Sequence, residues 1–170
     1  LKILVLGIGN IILRDDGIGP AVIRELHRFG LPQDVCLETT NLSGIALLDL
    51  TAGYDTLILV DAIKSGKKPG QMTWAQTNDF KVPDTIPSQH KMDIFHMLEI
   101  GRQMGINVPN KVSIMAIEAE DVTSFGEYLT PEVARVIPAA AAKIAEQILL
   151  LNKENQPAEE LQANKTIFKG

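Results

Sequence analysis

Apolar residues fall along this chain in short unbroken runs that alternate with stretches of helical spacing. Ile3-Leu4-Val5-Leu6 is continuous but too short for a helix, which predicts a strand covered on both faces. It leads into Gly7-Ile8-Gly9-Asn10. From Ile18 onward, Ile18, Val22, Leu26 and Phe29 recur at helical spacing, and Gly30 and Pro32 mark the stop. Residues 35–40 read as a weaker strand, and Ile45, Leu47, Leu48 and Leu50 as a short helix after Ser43-Gly44. Residues 56–60 form the clearest buried strand, stopping at Asp61. A turn at 66–70 precedes an edge strand at 71–75, after which Pro83 and Pro87 frame a loop reaching Ser88-Gln89-His90. A helix is predicted over 91–104 and a strand over 112–117. Thr130-Pro131 predicts a helix start with a hydroxyl cap and proline in the first turn. That helix carries Val133, Val136, Ile137, Ala140, Ile144 and Ile148 on one side, and Pro138 should kink or divide it.

Strands alternating with helices predict an α/β fold of three layers, a mostly parallel twisted sheet with helices on both faces. A single domain is expected over 1–152, with 153–170 as a polar, mobile tail. In such sheets ligands bind at the carboxyl ends of the strands. The residues just after strands therefore carry the functional question.

Composition narrows the classes. The chain has 170 residues, 45% hydrophobic and 22% charged, with a net charge of −5, and is of a size that builds its own core. Its lysines and arginines are scattered and few aromatics accompany them, so no nucleic-acid partner is expected. Lys153, Lys165 and Lys169 balance Glu154, Glu159 and Glu160 in the tail, so the negative excess belongs to the predicted domain. The single cysteine, Cys36, allows neither an intrachain disulfide nor a multi-cysteine zinc site, and a cytoplasmic location is expected. The apolar runs are too short for a signal peptide or a membrane span.

The first loop invites a dinucleotide reading, with Gly7 and Gly9 after a strand and Glu38 as a ribose-binding acid. The third glycine is missing, since Ile12 stands there. Asp15 and Asp16 would also sit where a pyrophosphate docks and would repel it. Helix capping accounts for one of them; a cation site accounts for both. Asp61 should emerge at the same rim, as an exposed site residue, and His90 lies in the loop just before a helix. Asp16, Asp61 and His90 together offer two oxygens and one nitrogen, a set that suits nickel or zinc with positions left open. His27 is expected to be solvated and His96 to pack at the core edge. Cys36 is expected to be buried rather than nucleophilic. Glu118, Glu120 and Asp121 add acidity near the rim without a further assigned role.

With these residues together, the chain resembles the hydrogenase maturation endopeptidases, which trim the large subunit of nickel–iron hydrogenases. The resemblance rests on Ile3-Leu4-Val5-Leu6-Gly7-Ile8-Gly9-Asn10, Leu13-Arg14-Asp15-Asp16-Gly17-Ile18-Gly19-Pro20, Val60-Asp61-Ala62-Ile63, Ser88-Gln89-His90 and Leu129-Thr130-Pro131-Glu132-Val133. It implies a phosphorylase/hydrolase-like three-layer fold and a protease in which Asp16, Asp61 and His90 contact metal and carry catalysis. It further implies that nickel, or another divalent metal in its place, arrives with the precursor, and that an Asp or a metal-polarised water performs the hydrolysis, the former an aspartyl-protease reading. The substrate would be the nickel-loaded precursor of the large subunit, losing a C-terminal extension, and the enzyme a monomer. Where many relatives carry an Asp-Gly-Gly-Thr-like stretch, this chain has Glu38-Thr39-Thr40-Asn41-Leu42-Ser43-Gly44. Two other readings remain at this point: a metallohydrolase that keeps its own zinc, and a non-catalytic nucleotide-binding module.

Overall fold

The computed structural model describes residues 1–77 and 89–155. Pro83, Pro87 and Ser88, and the expected tail from residue 156 onward, lie outside the described residues.

The first strand, β1 (Ile3–Ile8), is buried at every position. β2 (Val35–Thr40) lies on one side of it and β3 (Thr56–Ile63) on the other. With β4 (Met72–Thr77) and β5 (Lys111–Glu118) they form a five-stranded sheet of order β2-β1-β3-β5-β4. Every pairing is parallel except that of the edge strand β4, which runs antiparallel to β5.

Side chains alternate across the sheet with the period of two that a strand imposes. Ile3, Val5, Ile58, Val60, Met115 and Ile117 point to one face, where α1 (Ile18–Leu26) and α5 (Ile137–Glu154) cover them. Leu4, Leu6, Ile8, Leu57, Leu59 and Ile114 point to the other, beneath α2 (Ala46–Thr51) and α3 (Gln89–Gln103). Both faces being covered explains why the central strands read as continuous apolar runs. Among the described residues no helix is long and apolar enough to cross a membrane.

Several boundaries differ from the sequence expectation. β3 does not stop at Asp61 but continues to Ile63, because β5 goes on pairing with it as far as Ile63 and Glu118. α3 begins at Gln89, so the backbone of His90 belongs to the helix's first turn rather than to the preceding loop. The last helix is divided as expected, into α4 (Pro131–Ala134) and α5, with Pro138 in the first turn of α5. Its last turn carries on past 152 because Leu151 is still buried against the sheet. Cys36 is half-buried rather than buried, since β2 is an edge strand. His96 is exposed on α3 and takes no part in the core, whereas His27 is exposed as expected.

Candidate active site at the carboxyl ends of β1 and β3

From β1 the chain crosses by α1 on one face to β2, and from β2 by α2 on the other face to β3. This reversal puts the topological switch point between β1 and β3, where open α/β sheets bind ligands. Pairing between these strands ends at Gly7 and Val60. Beyond that point β3 is bonded on its β5 side, and Asp61 is its first residue past the pairing with β1.

Glycines let the following segment lie directly on these strand ends. A Cβ on Gly19 would fall 2.4 Å from the Ile8 carbonyl oxygen and 2.6 Å from that of Val60. One on Gly7 would fall 2.6 Å from the carbonyl oxygen of Gly19. The first turn of α1 thus rests on backbone, at a distance only glycine permits. Gly9, at φ 145°, faces the Asp16 carbonyl oxygen, which an added Cβ would meet at 1.8 Å.

The loop therefore folds back on itself, and the Asn10 N–H donates to Asp16 Oδ2 at 2.6 Å. Asp16 is half-buried in the 3-10 turn Arg14–Gly17 that precedes α1. Asp61 is buried, at 4% exposure, rather than open to solvent as the sequence suggested. In the alternation of β3 it falls with Leu57, Leu59 and Ile63, on the face that α2 and α3 cover. Both carboxyl groups belong to the carboxyl edge of the sheet, Asp16 in the turn after β1 and Asp61 near the end of β3.

α3 feeds into β5 at the amino edge of the sheet, where Asn110 N–H donates to Asp55 O just before β3. Its other end, with the backbone of His90, consequently belongs to the carboxyl edge; the side chain of His90 lies outside the described residues. Among the described residues no group of three His, Cys, Asp or Glu side chains is arranged to hold a metal.

Asp15 does something quite different from its neighbour. It is fully buried, and neither it nor Asp16 caps α1, whose N-cap is Gly17. Instead Asp15 Oδ1 accepts the Thr130 N–H at 2.7 Å, while Oδ2 accepts the Thr130 hydroxyl and the amides of Glu120 and Asp121, each at 2.9 Å. The Thr130 hydroxyl, expected to cap α4, is used here. Asp15 thus ties the loop after β1 to the loop after β5. Arg14 N–H to Gly126 O at 2.9 Å and Gly126 N–H to Ile12 O at 3.0 Å extend the tie. Arg14 holds φ 47° to make it and lies 3.6 Å from Asp121.

Glu118, at the end of β5, and Glu120 and Asp121 just after it also have structural work that the sequence did not reveal. Glu118 is buried and accepts the amides of Ser65, Gly66 and Lys67 together with the Ser65 hydroxyl. Lys64 Nζ donates to the Glu120 carbonyl oxygen. Asp121 accepts from Ser124 and Thr123, which hold its carboxyl below the usual carboxylate range. The available signal was the position of these acids immediately after a strand, facing Gly- and Ser-containing turns.

The nucleotide reading fails on the loop's own hydrogen bonds. The amides of Gly9, Asn10, Ile12, Leu13, Arg14, Asp15 and Asp16 all donate within the protein, leaving no amide nest for a pyrophosphate. Where the loop after β1 meets the end of β2, a cavity of about 230 Å³ opens between Asn10, Ile11 and Pro20 on one side and Thr39–Asn41 on the other. A larger one, about 490 Å³, lies at the opposite, amino edge against Lys2, Asp34, Cys36 and Tyr54, remote from both carboxyl groups. There a hydrogen bond with Cys36, helped by burial and the nearby Cys36 and Glu38 charges, pushes the Tyr54 phenol up to about 12.

A family model described as hydrogenase maturation protease matches residues 20–147. The chain belongs to the hydrogenase maturation protease family. The matched stretch takes in Asp61 and His90. Hydrogenase 2 maturation protease of Escherichia coli (strain K12) is 33% identical over 160 residues, 91% of this chain and 93% of that protein. The hydrogenase expression/formation protein HupD of Rhizobium leguminosarum bv. viciae is 31% identical over 144 residues, 82% of this chain and 70% of that one. The solved structure of the hydrogenase maturating endopeptidase HybD from E. coli superposes with a TM-score of 0.71 at 29% identity, covering 91% of this chain and 94% of that chain. The α/β fold with a mostly parallel sheet is the fold of this family, and family membership makes the protein a hydrolase acting on protein.

Proposed function

We propose that this protease removes the C-terminal extension from the nickel-loaded precursor of a nickel–iron hydrogenase large subunit, reading the substrate's nickel through Asp16, Asp61 and His90. The observation that carries the reading is that two aspartates from different elements, Asp16 after β1 and Asp61 in β3, belong to the carboxyl edge at the switch point of a hydrogenase maturation protease. Asp16 is oriented by the Asn10 amide, and Asp61 by its place in a strand bonded to β5. α3 begins on the face to which Asp61 belongs, which supports His90 as the nitrogen donor.

The donor chemistry fits. Two oxygens and an imidazole suit a borderline divalent ion already held in part by the substrate, and leave positions for the precursor's own ligands. With the metal supplied by the substrate, the protease is inert until a loaded precursor presents itself. Nickel held against the scissile carbonyl supplies Lewis-acid polarisation; the protein's part is to hold the precursor and complete the ligand set.

Three substitutions test the assignment: Asp16→Asn, Asp61→Asn and His90→Ala, each mixed with nickel-loaded precursor and followed by the mass change of the precursor. Each is expected to abolish trimming while the unfolding free energy from urea denaturation stays within about 1 kcal/mol of wild type, as near-isosteric or locally confined changes do. Full trimming by any one of them removes that residue from the site.

A further inference from the structure

The loops at the carboxyl edge of the sheet expose several large apolar side chains. Phe125 and Tyr128, after β5, are each 84% exposed. Ile11 and Ile12, after β1, are 54% and 45% exposed, and Leu42 and Ile45, after β2, are 48% and 64% exposed. Scattered single exposed hydrophobes need no explanation, whereas a contiguous set does.

Backbone bonds join the loop of Ile11 and Ile12 to the loop of Phe125 and Tyr128. Leu13 forms a bridge with Gly126, and Gly126 N–H donates to Ile12 O at 3.0 Å. This sets Phe125 beside Ile12. The cavity between the loops after β1 and β2 is lined by Ile11 and by Asn41, which precedes Leu42. The loops are also firmly held, by the four hydrogen bonds of Asp15 and by the Asp121 turn. Large apolar side chains on an ordered backbone lose little entropy on binding, as recognition anchors should.

We infer that this rim is the docking surface for the body of the precursor protein, an apolar patch flanking its C-terminal segment, with one apolar side chain of that segment entering the cavity between Ile11 and Asn41. The assignment rests on the proposed processing function. Its occupant follows from position: the rim is built from the loops after β1, β2 and β5, at the carboxyl edge to which Asp16 and Asp61 belong, so a folded protein whose chain end reaches those two residues covers it. Aromatic side chains in such a place are the residue types that dominate interface energies.

The test compares wild type, a rim variant (Phe125→Ser with Tyr128→Ser), the site variant Asp16→Asn and a control variant (Leu149→Ser with Leu150→Ser) on the exposed side of α5. The probe is the nickel-loaded precursor; the readouts are its half-saturating concentration for trimming, its binding to each protein, and light scattering of each protein alone. The rim variant is expected to need at least about tenfold more precursor, at an unchanged rate when saturated. Asp16→Asn should bind the precursor but not trim it, and the α5 control should match wild type. An unchanged half-saturating concentration in a folded rim variant overturns the docking assignment while leaving the proposed function standing. Dimers of wild type that the rim variant abolishes, with trimming unaffected, also overturn it and assign the patch to a second copy of this chain. Wild type that neither binds nor trims the precursor overturns the proposed function, and the docking assignment with it.

Discussion

Replacing Asp15 by alanine should reveal how the site loop is held. The substitution takes the acceptor from three backbone amides, those of Glu120, Asp121 and Thr130, and from the Thr130 hydroxyl. The hydroxyl rotates to another partner, but the amides cannot. At about 1 kcal/mol for each orphaned donor, the low end for groups that gain some water, the loss is about 3 kcal/mol. Relief from burying a carboxyl group works in the other direction, and for that reason the low end is used. Asp15→Asn keeps the shape and one acceptor oxygen, so it should lose about half as much. In urea denaturation with a slope of about 2 kcal/mol per molar, Asp15→Ala should lower the midpoint by about 1.5 M at unchanged slope. Hydrogen exchange of the Glu120 and Asp121 amides should accelerate in the same variant. An Asp15→Ala protein within about 1 kcal/mol of wild type would refute the claim that this carboxyl group joins the two loops.

Other substitutions separate scaffold from chemistry. Gly19→Ala places a methyl group 2.4 Å from the Ile8 carbonyl oxygen, and should cost about 3 kcal/mol in urea melts and reduce trimming, because α1 must lift off the strand ends. Asp121 has its carboxyl held below the ordinary range by Ser124 and Thr123, so its contribution is present above the unfolded value of about 3.9 and is lost as pH falls toward the lower folded value. The stability difference between wild type and Asp121→Asn should therefore shrink between pH 5 and pH 2, measured by denaturation at each pH; a difference that grows on acidification contradicts the hydrogen-bonding account. His27→Ala and His96→Ala, both at exposed positions, should trim precursor at the wild-type rate.

The fold was legible because both faces of the sheet are covered, which turns the central strands into apolar runs at 3–6 and 56–60 that no helix would produce. The edge strands were fainter, since β2 is only half-buried and β4 pairs on one side. The end of β3 was misjudged because Asp61 breaks the apolar pattern, while the pairing that carries the strand to Ile63 is a property of β5 and invisible locally. Asp16 and Asp61 stood out as carboxyl groups at strand ends. What the sequence could not show was which aspartate of the Asp15-Asp16 pair faces which task, for Asp15 finds its partners at Thr130, Glu120 and Asp121, more than a hundred residues away. The same holds for Glu118, whose partners at Ser65–Lys67 come from another crossover. Glu118 and Asp121, which in sequence only add acidity near the rim, are thus committed, like Asp15, to holding loops together.

Whether the substrate's nickel is read by Asp16 and Asp61 is decided by incubating the protein with nickel-loaded and nickel-free forms of the same hydrogenase large-subunit precursor and measuring C-terminal trimming. Trimming of the loaded form alone is expected, lost in Asp16→Asn and Asp61→Asn. Equal trimming of both forms, or of neither, would contradict it.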